Sequence, residues 1–170
     1  MAKSLVLTVI ADDKPGIVEQ LSGTIAAHGG NWLESRMAHM AGKFAGILRI
    51  SVDAGSSSAL EADLSALDRQ GIQVNVESGE ASDDDNSIEL TLSLVGNDRP
   101  GIVKEVSQAL AAMNVNVLEL TTDCTPAEMS AVPLFKADAC LRVPADFNTE
   151  KAAEALEAIS NDLMVEIKLD

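Results

Sequence analysis

Asp13-Lys14-Pro15-Gly16-Ile17-Val18 returns 85 residues later as Asp98-Arg99-Pro100-Gly101-Ile102-Val103. Working outward, the same offset sets Ser22 on Ser107, Ala26-Ala27 on Ala111-Ala112, Asn31 on Asn116 and Leu33-Glu34 on Leu118-Glu119. Between Asp12 and Glu34, eleven of 23 paired positions are identical. A period this long marks a duplicated small domain rather than the roughly 20–50-residue unit of a solenoid. The fold question therefore becomes what a copy of about 80 residues does.

In the first copy Leu5, Leu7 and Val9 share one face of a strand and Val6, Thr8 and Ile10 the other. Ala11-Asp12-Asp13-Lys14 makes a turn, and Pro15 suits the first helical position, where its missing N–H costs nothing. Ile17, Val18, Leu21 and Ile25 then recur at helical spacing until Gly29-Gly30 stops the helix. Asn31 to Met40 and Phe44 to Val52 read as a hairpin around Ala41-Gly42-Lys43. Ser58-Ala59-Leu60-Glu61 predicts a reciprocal serine–glutamate cap on a second helix, striped by Leu60, Leu64 and Leu67 and ended by Gly71. Ile72 to Glu77 alternates as a strand with one wet face.

The second copy repeats this order. Ile88, Leu90, Leu92 and Leu94 mark a strand, and Ile102, Val106 and Leu110 a helix. Asn116 to Cys124 and Leu134 to Val143 form a strand pair joined by a longer loop with Pro126 and Pro133. A helix over about Thr149 to Asn161 and a strand over Val165 to Leu169 close the chain. βαββαβ with amphipathic helices predicts an α+β chain of two tandem ferredoxin-like sandwiches, antiparallel sheets with helices on one face. The expected boundaries are residues 1–78 and 87–170, with the acidic segment 79–86 as linker. That segment reads as a solvated charge run, the alternative being a cation ligand.

Net charge is −15, with 12 basic residues scattered among 27 acids. Phosphate binding needs clustered Lys and Arg, so no direct nucleic-acid contact is expected. The sandwich also occurs in RNA-recognition modules, but those need sheet aromatics and a basic face, and aromatics are only 2% here. Two cysteines show no metal or bridge spacing. The first residues run straight into a strand pattern, and no apolar run approaches the ~20 residues that span a bilayer. A cytoplasmic chain with reduced thiols, no membrane contact and no cofactor is expected.

The turn before each first helix is the candidate ligand site. N–H groups near Gly16-Ile17 and Gly101-Ile102 lack intrahelical partners and sit at the positive helix end, which suits a carboxylate. Gly16 and Gly101 let a ligand approach the backbone. Asp13 and Asp98 can accept from an ammonium group, and Asn31 and Asn116 offer an acceptor and two donors. Together these describe a free α-amino acid. The alternative is structural: the aspartates cap their helices and the asparagines brace the turn.

These turns, with the downstream asparagine, resemble the signature of ACT domains, small βαββαβ modules that bind amino acids and regulate metabolism. The resemblance covers nearly the whole chain. It implies that Asp13 or Asp98 and Asn31 or Asn116 hold an amino acid at an interface between two domains. Asn is frequent at the turn position in that family; Asp keeps the acceptor and loses the donor. Asn31-Trp32-Leu33-Glu34-Ser35-Arg36-Met37-Ala38 with Gly42-Lys43-Phe44, and Asn116 to Leu120 with Thr125-Pro126-Ala127-Glu128, further resemble the glycine cleavage system transcriptional repressors. That resemblance implies repression through a LysR-type activator protein, relieved by glycine. A small amino acid (glycine or serine-like) and a homodimer or higher assembly are the expected partners. The alternative is a stand-alone regulatory subunit of an amino-acid enzyme.

His28 and His39 read as surface or helix-end histidines, Met37 and Met40 as gap fillers, and Cys124 and Cys140 as two thiols packed on paired strands, the alternative being a redox pair. No arrangement offers a catalytic nucleophile or base, so no enzymatic activity is expected.

Overall fold

A computed structural model describes residues 1–80, 86–126, 128–129 and 132–169. The chain divides into two compact units, Met1–Ser82 and Asp83–Asp170. Unit 1 runs β1 (Ala2–Asp12), α1 (Ile17–Ala27), β2 (Asn31–Met40), β3 (Lys43–Asp53), α2 (Ser57–Ala66), a 3-10 turn (Leu67–Gln70) and β4 (Ile72–Ser78). Unit 2 runs β5 (Ser87–Asn97), α3 (Ile102–Ala112), β6 (Asn116–Thr125), β7 (Leu134–Pro144), α4 (Thr149–Glu157) and β8 (Met164–Leu169). The sheets are β2-β3-β1-β4 and β6-β7-β5-β8, with every pair antiparallel. This is the α+β sandwich that the repeat predicts, built twice.

Alternation decides which face is covered. Leu5, Leu7, Val9 and Ala11 of β1 are buried under α1 and α2, whose stripes are Ile17, Leu21, Ile25 and Leu60, Leu64. Leu90, Leu92 and Leu94 of β5 do the same beneath Ile102, Val106, Leu110 and Leu156. The α1 and α3 stripes fall at i, i+4, i+8, so Val18, one residue off the first, is half exposed.

α1 ends in a Schellman cap: Gly30 N–H donates to Ile25 O (2.9 Å), Gly29 N–H to Ala26 O (2.9 Å), and Gly29 has φ 70°. Asn114, with φ 60°, takes that place after α3. The β2–β3 hairpin turns on Ala41-Gly42 alone, both at positive φ (49° and 79°), as the twist of a two-residue hairpin requires. Lys43 thus belongs to β3.

Several expectations are corrected. α2 begins at Ser57 with Ser56 before it and no side-chain cap; Ser57, buried, donates instead to Ala54 O (3.2 Å). The Ser58–Glu61 box therefore does not form. α4 stops at Glu157, though Ile159 still packs on the core. Cys124 pairs with Phe135 and Cys140 with Glu119, five residues apart along β6 and on opposite faces, so the thiols are not neighbours. Met40 is 72% exposed and fills no gap, whereas Met37 packs on the core. Gly79 N–H still bonds to Ser4 O (3.0 Å), extending the β1–β4 ladder into the expected linker; residues 81–85, with the acidic run, lie outside the described residues.

Candidate functional site

Pro15 does not open α1. With Gly16 at φ 94°, ψ 0° and Gly101 at φ 85°, ψ 1°, each Pro-Gly pair has the geometry of a type II turn, proline at its second position and glycine at its third. Ile17 and Ile102 are the first helical residues. The first intrahelical bonds are Gln20 N–H to Gly16 O and Glu105 N–H to Gly101 O, both 3.0 Å. The amides of Ile17, Val18 and Glu19, and of Ile102, Val103 and Lys104, therefore precede the ladder, and no side chain caps either start. Each turn thus presents free N–H groups at a positive helix end, an arrangement able to hold a carboxylate.

Asp13 and Asp98 are not helix caps. Their backbone N–H groups tie the turn to the strand connection beside it, Asp13 to Gly42 O (3.0 Å) and Asp98 to Pro133 O (2.9 Å). Their carboxylates face the end of the neighbouring edge strand, and there the copies diverge. His39 Nδ1 lies 2.6 Å from Asp13 Oδ2. The residue 85 positions on is Cys124, whose thiol lies close enough to Asp98 to feel its charge. Desolvation and then the charge of Asp98 raise the Cys124 thiol above its ordinary pKa. A cleft of about 220 Å³ opens in unit 1 between Asp13, Gly16, Ile17, Val18 and Phe44.

Flanking groups fix each turn. Lys43 Nζ holds Asp12 Oδ1, and that hydrogen bond lowers the Asp12 carboxyl below its ordinary value. Lys14 Nζ donates to Gln70 O (2.8 Å). In unit 2 Arg99 pairs with Glu105 instead, and Asp162 Oδ2 accepts from Asn97 N–H at 2.6 Å.

Asn31 and Asn116 stand elsewhere. β2 runs in the same direction as β1, so Asn31, opposite Ser51 and through it Ser4, is at the far end of the sheet from Asp12. Eight residues at ~3.3 Å each place it roughly 25 Å from the turn along the strand direction. Asn116, opposite Arg142 and through it Glu89, is displaced from Asn97 in the same way. Within one unit, the structure brings together the aspartate, the glycine and the isoleucine amide, and leaves the asparagine out.

His39 and Cys124 are the residues that sequence reasoning missed. The available signal was their alignment in the 85-residue register, one position from the end of the same hairpin strand. His28, by contrast, pairs with Asp63 (2.7 Å) between the helices, away from the turn. Among the described residues no group of three or more His, Cys, Asp or Glu is placed to hold a metal ion. No helix of the described residues is long and apolar enough to cross a membrane.

Comparisons with known proteins agree with this architecture. The ACT domain family matches residues 3–77 and, separately, residues 90–161. No curated protein matches the sequence. Among solved structures, an unknown protein from Galdieria sulphuraria is 27% identical with a TM-score of 0.84, covering 100% of this chain and 99% of its own. A proposed glycine cleavage system transcriptional repressor is 18% identical with a TM-score of 0.69, again over 100% and 99% of the two chains. At that identity the second likeness speaks for the fold. With both repeats matched and the whole length shared, the chain belongs to the ACT domain family and carries two ACT domains in tandem.

Proposed function

We propose that this chain is a non-enzymatic, cytoplasmic regulator that senses a small amino acid, glycine or serine, and represses transcription of a glycine cleavage system by binding a LysR-type activator protein. The observation that carries the reading is the pair of Asp-x-Pro-Gly turns, each setting a carboxylate beside uncapped helix N–H groups. A zwitterion needs that combination: amides for its carboxylate, Asp13 or Asp98 for its ammonium, and a glycine that lets it reach the backbone. Gly16-Ile17 and Gly101-Ile102 supply the amide side. Asn31 and Asn116 enter only as groups presented across an interface, which fits a homodimer or higher assembly. Full-length likeness in fold to a proposed repressor of that system supports the output, and a charge of −15 favours a protein target over operator DNA.

Titration calorimetry of the full chain with glycine and with L-serine tests the sensing, and co-purification with the activator at varied glycine tests the output. Heat of binding and glycine-dependent release are expected. No heat with either amino acid, or a complex indifferent to glycine, overturns the reading.

A further inference from the structure

An open groove of about 690 Å³ lies between α1 and the end of α2 in unit 1. Gly16, Gln20, Gly23 and Ala27 form one wall, at the spacing of a single face of α1, and Ala66, Leu67 and Gln70 form the other. The groove follows the 11 residues of α1, which at ~1.5 Å each is roughly 16 Å, or three helical turns. That is far longer than a free amino acid. It matches one face of another helix, seated where small side chains let the two backbones approach.

Gly23 is what the fold itself does not call for. It stands in mid-helix, where glycine is the poorest residue after proline, and a Cβ there would meet nothing within 4 Å. The second copy carries an exposed Gln108 at the same place. Packing inside unit 1 thus leaves room for a larger residue, and the glycine keeps the groove open. Gln20, one turn earlier, holds the one buried side-chain oxygen that lacks a hydrogen-bond partner among the described residues, an acceptor that a donor on an occupant would satisfy.

The charges that line the groove are acidic. Asp63 is held by His28 at 2.7 Å. Glu19 pairs with no cation among the described residues, and its counterpart in the second copy is Lys104. Lys14, at the turn end, donates to Gln70 O and leaves Glu19 free. A cation on the occupant complements it. Gly16 and Glu19 also line the cleft beside Asp13, so an amino acid at the turn and an occupant of the groove meet at the same two residues.

Resting on the proposed contact with an activator protein, we propose that the contact is an amphipathic helix of the activator, laid in the α1–α2 groove of unit 1 against Gly23 with a Lys or Arg at Glu19, and displaced by the amino acid bound at the adjoining turn. The coupling is reciprocal: the activator weakens the amino acid as the amino acid weakens the activator.

Gly23→Gln, which imports the second-copy residue, tests this in the full chain, read by co-purification with the LysR-type activator and by calorimetry with glycine. Activator affinity is expected to fall at least about tenfold, as for a bulky side chain set into the centre of an interface. Gly23→Ala should lose less. Glycine affinity of the free chain should stay as in wild type, because residue 23 does not line the Asp13 cleft. Both variants should raise the urea midpoint of unit 1, since each is a better helix former than glycine, so lost binding cannot be lost fold. An activator that binds Gly23→Gln as it binds wild type overturns the proposal and leaves the sensing function standing. A changed oligomeric state in size-exclusion chromatography assigns the groove to a second copy, and a parallel loss of glycine affinity assigns the effect to the turn; either overturns it too. Failure of the wild-type chain to bind the activator overturns this proposal and the regulatory reading together.

Discussion

Gly16 and Gly101 hold φ of 94° and 85° with open space where a Cβ would go, the nearest atom to the first being Gln20 Nε2 at 3.9 Å. Sterics therefore do not exclude alanine; backbone conformation does, at about 1 kcal/mol. Gly16→Ala and Gly101→Ala are each expected to lower stability by about that amount in urea denaturation without loss of fold. Asp162 argues at the same scale through charge. Ser160 Oγ–H first, and Asn97 N–H second, hold its carboxyl below the ordinary value of 3.8. A lowered folded-state pKa means that unfolding takes up a proton on the acid side. The contribution is whole above about pH 4 and is lost as pH falls through the folded value. Asp162→Asn is accordingly expected to lower the urea midpoint of unit 2 at pH 7 and to flatten its decline below pH 4. A parallel acid decline in wild type and variant would refute the role of the carboxylate.

Among elements, the β2–β3 hairpin is the least tolerant of added atoms. A Cβ on Gly46 would lie 2.4 Å from the Arg36 carbonyl oxygen and 2.7 Å from Met37 Cγ. Backbone cannot yield as a side-chain tip can, so Gly46→Ala is expected to cost roughly 1–3 kcal/mol, read from the denaturant midpoint of unit 1. How far such elements were legible depends on what fixes them. The β1 alternation and the Ile17-Leu21-Ile25 stripe follow from period alone, and the structure keeps both. The second helix start was less legible because Ser56, Ser57 and Ser58 all suit a cap; burial of Ser57 and its bond to Ala54 O decide the frame. Strand pairing was legible but register was not, which is why Cys124 and Cys140 part. Asn31 followed the same limit. Composition made it a plausible partner of Asp13, but a strand entering after a full helix begins at the opposite sheet end.

At the scale of the whole molecule, charge decides what this surface can meet. Among the described residues, at least six of the 12 Lys and Arg face a carboxylate: Lys3 with Glu61, Lys43 with Asp12, Arg49 with Glu34, Arg99 with Glu105, Arg142 with Glu89 and Lys168 with Glu166. Each pair neutralises a cation locally, and the remaining acids set a net −15. A DNA-binding face draws most of its affinity from unpaired cations that displace counterions. Here an approaching duplex meets net repulsion that weakens only as salt rises and screening shortens. Fluorescence anisotropy with a short labelled duplex is therefore expected to show no binding by the purified chain at about 50 mM or 200 mM salt. Any effect of this chain on transcription should appear only when a basic protein partner is added, and it should weaken as salt screens the attraction. Tight binding to the duplex alone, falling steeply between those two salt concentrations, would mean that a basic face exists despite the pairings, and regulation by contact with a protein would lose its physical ground.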